Sequence, residues 1–159
     1  MIRPATKADL PFITVLQQRP ENRAFVAEDS PERLTGLLQG GDEQLLIWED
    51  HGAPEGFCIL RGIETKKTVI ELLRLAVANP GEGRGTRFIE DMKTHVFQTL
   101  GAHKLWLDVA TDNPRARRAY EKSGFTHEGT LRAHWPRRTG DHADLALYGL
   151  LRGEWQKAG

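Results

Sequence analysis

The sequence predicts a mixed α/β fold in a single domain over residues 1–159. Three observations carry that reading. The predicted elements run β-α-α-β-β-β-α-β-α-β-β, an order that suits a mixed layer and not a doubly wound parallel sheet. The strand-like runs between residues 44 and 78 are joined by short turns, so they read as an antiparallel meander. A chain of 159 residues, 39% hydrophobic and 28% charged, is long enough for one real core. No linker, internal repeat or low-complexity segment divides it.

The elements follow in order. Ile2-Arg3-Pro4 reads as a short first strand. Thr6 with Asp9 three residues on resembles a capping box, and Leu10, Ile13 and Leu16 or Gln17 continue a first helix. Residues 18–29 are polar and irregular. Ser30-Pro31 is an N-cap and first-turn pair, Leu34, Leu37 and Leu38 give the second helix its apolar stripe, and Gly40-Gly41 stops it. Three strands are expected next, over residues 44–49, 56–63 and 68–78, with turns at 50–54 and 64–67. A helix over 86–100 ends at Gly101, and 104–110 is a buried strand. Asn113-Pro114 starts a helix that ends at Gly124. Two last strands, 125–132 and 144–151, flank a polar excursion at 133–143.

Composition excludes several classes. With 22 Lys plus Arg against 22 Asp plus Glu, the formal net charge is zero, which argues against a dedicated nucleic-acid binder. A single cysteine, Cys58, forms no intramolecular disulfide or cysteine zinc cluster, and its strand context reads as a small buried hydrophobe. The six histidines show no ligand spacing, so no metal is expected. No apolar run reaches the ~20 residues that span a bilayer, and no signal peptide is visible. The expectation is a cytoplasmic protein with no membrane or nucleic-acid partner.

The stretch Asn79-Pro80-Gly81-Glu82-Gly83-Arg84-Gly85-Thr86 lies between a strand-like and a helix-like run. Phe88, Ile89, Met92, Val96, Phe97 and Leu100 follow at helical spacing. A glycine-rich turn that opens a helix presents unpaired N–H groups to an anion, so a bound pyrophosphate is expected. The ATPase loop requires a Lys where Arg84-Gly85-Thr86 has none. The dinucleotide fingerprint requires a third glycine where Phe88 stands, inside a parallel βαβ unit that a preceding meander does not supply. Acyl-coenzyme A remains.

The glycine turn resembles that of the GCN5-related N-acetyltransferase (GNAT) superfamily, Gln/Arg-x-x-Gly-x-Gly/Ala, with Pro80 where the family usually has Gln or Arg. Asn113-Pro114-Arg115-Ala116-Arg117-Arg118-Ala119-Tyr120-Glu121-Lys122-Ser123-Gly124-Phe125 is similar to the family's Asn-x-x-Ala-x-x-x-Tyr-x-x-x-Gly-Phe segment. Gly129-Thr130-Leu131-Arg132 and the closing Asp144, Tyr148, Leu150-Leu151-Arg152, Glu154-Trp155 resemble the branch holding ribosomal-protein N-terminal and polyamine acetyltransferases. The resemblance covers nearly the whole chain and is weakest over 18–43. It implies a six- to seven-stranded, mostly antiparallel sheet, flanked by about four helices and splayed at its middle strands.

It also implies site residues. Leu75, Ala76 and Val77 would end a strand that bulges and pairs with the pantetheine arm of acetyl-CoA. Glu82, Gly83, Arg84, Gly85 and Thr86 would turn their N–H groups to the pyrophosphate, with Arg84 or Arg87 supplying the charge missing at Pro80. Asn113 reads as an N-cap, to which the family adds a hydrogen bond to the cofactor arm. Ala116, one turn on, would leave room for the cofactor. Tyr120, seven residues after Asn113 and on the same helix face, would protonate the departing thiolate. Glu71 interrupts an aliphatic strand and is either the base for the acceptor amine or a structural ion pair with Arg74. Asp108 and Glu28 are weaker candidates for the base, and His134 and His142 flank the acceptor mouth or lie on the surface. Arg115, Arg117, Arg118 and Lys122 form a basic helix, mostly a solvated face. The expected reaction is direct transfer from acetyl-CoA to a primary amine of a small molecule in a ternary complex. A peptide N-terminus as acceptor and a non-catalytic acyl-CoA sensor are the alternatives. Oligomeric state stays open, related enzymes often being dimers.

Overall fold

The structure, a computed structural model, describes residues 1–66 and 68–159. Seven strands form one sheet in the order β1-β2-β3-β4-β5-β7-β6: β1 Ile2–Pro4, β2 Glu43–Asp50, β3 Ala53–Arg61, β4 Val69–Val77, β5 Lys104–Ala110, β6 Thr126–Pro136 and β7 His142–Leu151. Every neighbouring pair is antiparallel except β4 with β5. The helices are α1 Leu10–Gln18, α2 Pro20–Arg23, α3 Pro31–Leu37, α4 Arg84–Thr94, α5 Pro114–Lys122 and α6 Arg152–Ala158, and a π-helical segment, His95–Thr99, continues α4. The meander, the mixed sheet and the helices α1, α3, α4 and α5 agree with the sequence reading. The turn expected over 64–67 is seen at 64–66, and Lys67 lies outside the described residues.

Period-2 alternation divides the core into two layers. Leu46, Trp48, Cys58 and Leu60 face α4 and α5 with Phe88, Met92, Tyr120 and Tyr148. Leu45, Ile47, Phe57 and Ile59 face α1 and α3 with Ile13, Leu16, Leu34 and Leu37. Gly56 is where α4 comes closest to the sheet. A Cβ there would meet the Ala76 carbonyl at 2.8 Å and the Phe88 ring at 2.9 Å, and that ring stacks on Trp48 with centroids 5.1 Å apart.

Local signals in the sequence explain the helix starts. The Ser30 hydroxyl accepts from the Arg33 N–H at 3.1 Å, with Pro31 in the first turn of α3. Asp9 reaches back to the Thr6 N–H at 2.7 Å and also holds Arg3 through two hydrogen bonds.

Three expectations need correction. The polar stretch 18–29 contains the short helix α2, and a terminal helix, α6, follows β7. The excursion over 133–143 is mostly strand: β6 runs to Pro136, with Trp135 opposite Ala143 and Pro136 opposite His142. Three residues of β6, 132–134, lie between the pairs Leu131–Leu145 and Trp135–Ala143, where β7 has only Asp144. Asp144 takes the Ala133 N–H at 2.6 Å, so this extra loop of strand is anchored and His134 is displaced from regular pairing.

Candidate active site

The site begins with a failure of strand pairing. β4 and β5 pair only at Val69–Glu71 against Lys104–Trp106. Beyond that, β4 keeps only β3 and β5 keeps only β7. Ile59 is opposite Arg74 and Leu60 opposite Leu72, which leaves Leu73 as a bulged residue on β4. A bulge sharpens local twist and flips the faces that follow. Ile70 and Leu72 accordingly pack in the layer under α4 and α5, whereas Ala76 packs in the other. A cavity of about 810 Å³ fills the opening and is lined from both faces of the sheet.

One end of the cavity is made of backbone. Gly81 (φ 122°), Glu82 (φ 49°) and Gly83 (φ 74°) turn through the left-handed region, which glycine reaches without penalty, and deliver the chain into α4. The Arg84 N–H closes this turn on the Gly81 carbonyl at 2.9 Å, so it is not one of the available donors. The N–H groups of Glu82, Gly83, Gly85 and Thr86 have no acceptor among the described residues. The positive end of the α4 dipole adds to them. A Cβ on Gly85 would meet no protein atom within 4 Å, although Gly85 lines the cavity. Packing within the chain therefore does not demand glycine there. The Arg84 and Arg87 side chains are engaged by Asp50, at 3.7 and 2.6 Å, and Arg84 also by Glu82 at 3.2 Å. The guanidinium of Arg87 holds the Asp50 carboxyl below its ordinary range.

Leu75, Ala76 and Val77 line the middle of the cavity, where β4 is paired on one side only. Asn113 and Ala116 line the opposite wall. The Asn113 carbonyl accepts from the Ala116 N–H at 3.3 Å, so the N-cap is real, and its amide N–H₂ has no partner among the described residues. Arg115 also borders the cavity, whereas Arg117 is structural, donating to Tyr148 Oη at 3.1 Å and to the Thr111 carbonyl at 3.3 Å.

Tyr120 sits between the two ends. Its ring is 8% exposed, packs edge-on to Phe125 at 5.6 Å, and borders the cavity. Its hydroxyl has no hydrogen-bond partner among the described residues. Burial, with smaller contributions from Cys58 and Asp108, holds the phenol well above its ordinary pKa, so it is protonated at neutral pH. Cys58 is fully buried and burial pushes its thiol up to about 12, which agrees with a packing role and excludes a thiolate nucleophile at neutral pH.

The other end is made of side chains on the α1/α3 face. Glu71 is there, but its ion-pair partner is Arg61 and not Arg74. Arg61 Nε and Nη2 donate to one Glu71 oxygen at 2.8 and 2.5 Å. Arg74 instead lies 3.2 Å from Asp29. The pairs continue through Asp29–Arg33 at 2.8 Å, Arg33–Glu43 at 3.0 Å and Glu43–Arg61 at 4.0 Å. This chain of six groups carries three charges of each sign and joins the loop before α3 to β2, β3 and β4. Asp108 also lines the cavity, with no ion pair or hydrogen bond among the described residues. Desolvation, then the charge of Glu71, raises its carboxyl above the ordinary range, against the opposing charges of Arg74, His134 and Arg61.

His134 and Trp135 of β6 and Phe25, Val26, Asn22 and Glu21 complete the mouth. His142 lies outside it. Glu28 is no free carboxylate: it holds Arg138 at 2.8 Å and accepts from Gln18 at 3.0 Å. Arg138 also donates to the Val26 carbonyl at 2.9 Å, so the β6–β7 tip clasps the 24–29 loop. Of these, sequence reasoning missed Arg61, Trp135 and Phe25. Arg61 is the register partner of Glu71, whereas a hairpin counted back from a 64–67 turn would set it opposite Ile70, one residue away. Among the described residues, no cluster of three or more His, Cys, Asp or Glu side chains is placed to hold a metal, and no helix is long and apolar enough to cross a membrane.

Comparison with known proteins places this geometry in context. A sequence model of the acetyltransferase (GNAT) family matches residues 10–125. A spermidine N(1)-acetyltransferase of Vibrio cholerae is 32% identical over 109 residues, 69% of this chain and 52% of that protein. A 5-NmdU N-acetyltransferase of Pseudomonas phage PaMx11 is 32% identical over 84 residues, 52% of this chain and 57% of that one. The chain thus spans about half the length of these curated relatives. The crystal structure of spermidine N-acetyltransferase from Vibrio cholerae in complex with CoA and spermine has the same fold, with a TM-score of 0.85 at 23% identity over 98% of this chain and 97% of that one.

Proposed function

The chain belongs to the acetyltransferase (GNAT) family, and from that premise we propose that it moves an acetyl group from acetyl-CoA to a primary amine of a small molecule, directly, with both substrates bound together. The observation that carries this reading is a cavity that crosses the sheet, with free N–H groups at one end and carboxylates at the other. Glu82, Gly83, Gly85 and Thr86 would hold the pyrophosphate of the coenzyme, and the unpaired flank of Leu75–Val77 its pantetheine arm. Asn113 would donate its amide to the same arm, and Ala116 leaves space beside it. A backbone N–H near Leu75 would stabilise the developing oxyanion. Tyr120 would protonate the departing sulfur. Glu71 and Asp108 are the two carboxylates available to receive the proton of the amine.

The acceptor end suits a small cationic amine. The six-member ion-pair chain is neutral as a whole, and Asp108 and Glu21 remain without ion-pair partners among the described residues. The clasp of Arg138 on Glu28 and Val26 fixes the loop that carries Phe25 and Val26, two residues of the cavity lining. The relative named for spermidine makes polyamines the first compounds to test. The test is thiol release from acetyl-CoA over polyamines, amino acids, aminoglycosides and short peptides. The expected result is turnover on at least one small amine. CoA binding with no turnover on any amine would replace this reading with that of an acyl-CoA sensor.

A further inference from the structure

We propose that Asp108, and not Glu71, takes the proton from the acceptor amine, and that Arg61 is the positioning residue that makes the choice by locking Glu71 into an ion pair. The inference rests on the acetyltransferase reading above and concerns which carboxylate of the pair does the work.

Two carboxylates from adjacent strands face the same cavity end, and they are held very differently. One oxygen of Glu71 receives two guanidinium hydrogen bonds from Arg61, and the side chain is almost wholly covered. An anion held this way is a poor proton acceptor, because protonation would break a charge-assisted pair at close range. Asp108 has no such partner and faces the open cavity. It is also coupled to the Tyr120 phenol, the proposed proton donor. Asp108 is exposed to the cavity, and desolvation by the walls around it, then the nearby Glu71 anion, favour its protonated form. The ion pair therefore leaves the Glu71 carboxylate committed to Arg61, while Asp108 is left open to the cavity beside that charge. The charged and titratable groups facing Asp108 are Glu71 and Arg74 on β4, Arg61 on β3, His134 on β6 and Tyr120 on α5.

The proton balance closes. Asp108 carboxylate accepts one proton from the ammonium, and the freed nitrogen lone pair forms the C–N bond to the thioester carbonyl carbon. The C–S bond breaks, and the thiolate takes the Tyr120 proton. The second nitrogen proton, lost as the amide forms, restores Tyr120. Asp108 returns its proton to water, so one proton is released per acetyl group moved.

The test measures the carboxyl titration of Asp108 by carbon-detected NMR and the pH dependence of kcat/KM in the same set: wild type, Glu71→Gln, Arg61→Gln, Arg61→Lys and Asp108→Asn. Removing the Glu71 anion should move the Asp108 titration and the acidic limb of kcat/KM down by roughly one unit, and removing the Arg61 cation should move both up by a smaller amount. Arg61→Lys should keep both near wild type. Asp108→Asn should lower kcat/KM by about 100-fold or more while leaving CoA affinity intact. The inference falls if Asp108 titrates in the ordinary range in every variant. It also falls if Glu71→Gln costs as much as Asp108→Asn without moving the limb, since Glu71 is then the base. A wild-type protein that releases no thiol with any amine removes the acetyltransferase reading and this inference together. Thiol release with Glu71 dominant removes the inference alone.

Discussion

The two ends of the cavity are built from different materials. The end beside α4 is backbone: left-handed turn residues, four uncommitted N–H groups and a helix start, all within residues 79–87. The end beside α1 and α3 is side chain: ion pairs that reach from Asp29 to Arg74 and from Glu28 to Arg138, over long stretches of sequence. Backbone donors are fixed by chain geometry and suit a group that never varies, such as a pyrophosphate. Ion pairs can be re-wired by single substitutions, which would suit the end proposed to receive the acceptor. Each end therefore makes its own prediction about what a substitution will break.

The largest effect is expected at the backbone end. Gly85→Glu adds a carboxylate where a Cβ meets no protein atom and where the helix dipole favours negative charge. Thermal stability should hold or rise slightly. CoA affinity should fall by about 100-fold or more, close to 2.8 kcal/mol, because the new side chain occupies the anion's place. Calorimetry and thermal melting on the same samples check both halves. If CoA affinity is unchanged, the turn does not hold the coenzyme.

Tyr120→Phe comes next. The hydroxyl has no partner to lose among the described residues, so folding should be unaffected, and CoA affinity should also stand. A general acid contributes about 100-fold or more, so kcat should fall by that order. A variant with full turnover would remove Tyr120 from proton transfer. At the side-chain end, Arg138→Ala should be milder. It opens the clasp on Glu28 and Val26 and should raise the amine KM a few-fold without changing CoA affinity. An exposed pair of this kind is worth under about 1 kcal/mol, so stability should barely change. An equal loss at both substrates would show that the two ends are not separable.

The same contrast explains what the sequence revealed. The turn at 79–86, the cap at Asn113 and the placement of Tyr120 two turns later are local patterns, and each was legible because a few consecutive residues determine it. The bulge at Leu73 was not, since Leu72, Leu73 and Leu75 are alike in chemistry and only pairing against β3 singles one out. The extra residues of β6 at 132–134 depend on Asp144 across the hairpin, and a polar tip in sequence resembled a loop. Nearness in sequence offers Arg74 as the candidate ion-pair partner of Glu71, whereas register supplies Arg61. Side-chain networks are decided by register and bulges, which one-dimensional patterns carry only faintly.

Asn113 offers the finest distinction, because it belongs to both descriptions. Its carbonyl caps α5 through the Ala116 N–H, a local role, and its free amide faces the cavity. Asn113→Ala removes both and should cost about 1 kcal/mol of stability along with some CoA affinity. Asn113→Ser separates them, because serine caps about as well as asparagine but carries no amide donor. Stability should stay within a few tenths of a kcal/mol of wild type, while CoA affinity should fall about threefold, close to 0.7 kcal/mol. If Asn113→Ser matches wild type in both measurements, the residue is a cap alone, and the coenzyme end relies on backbone throughout.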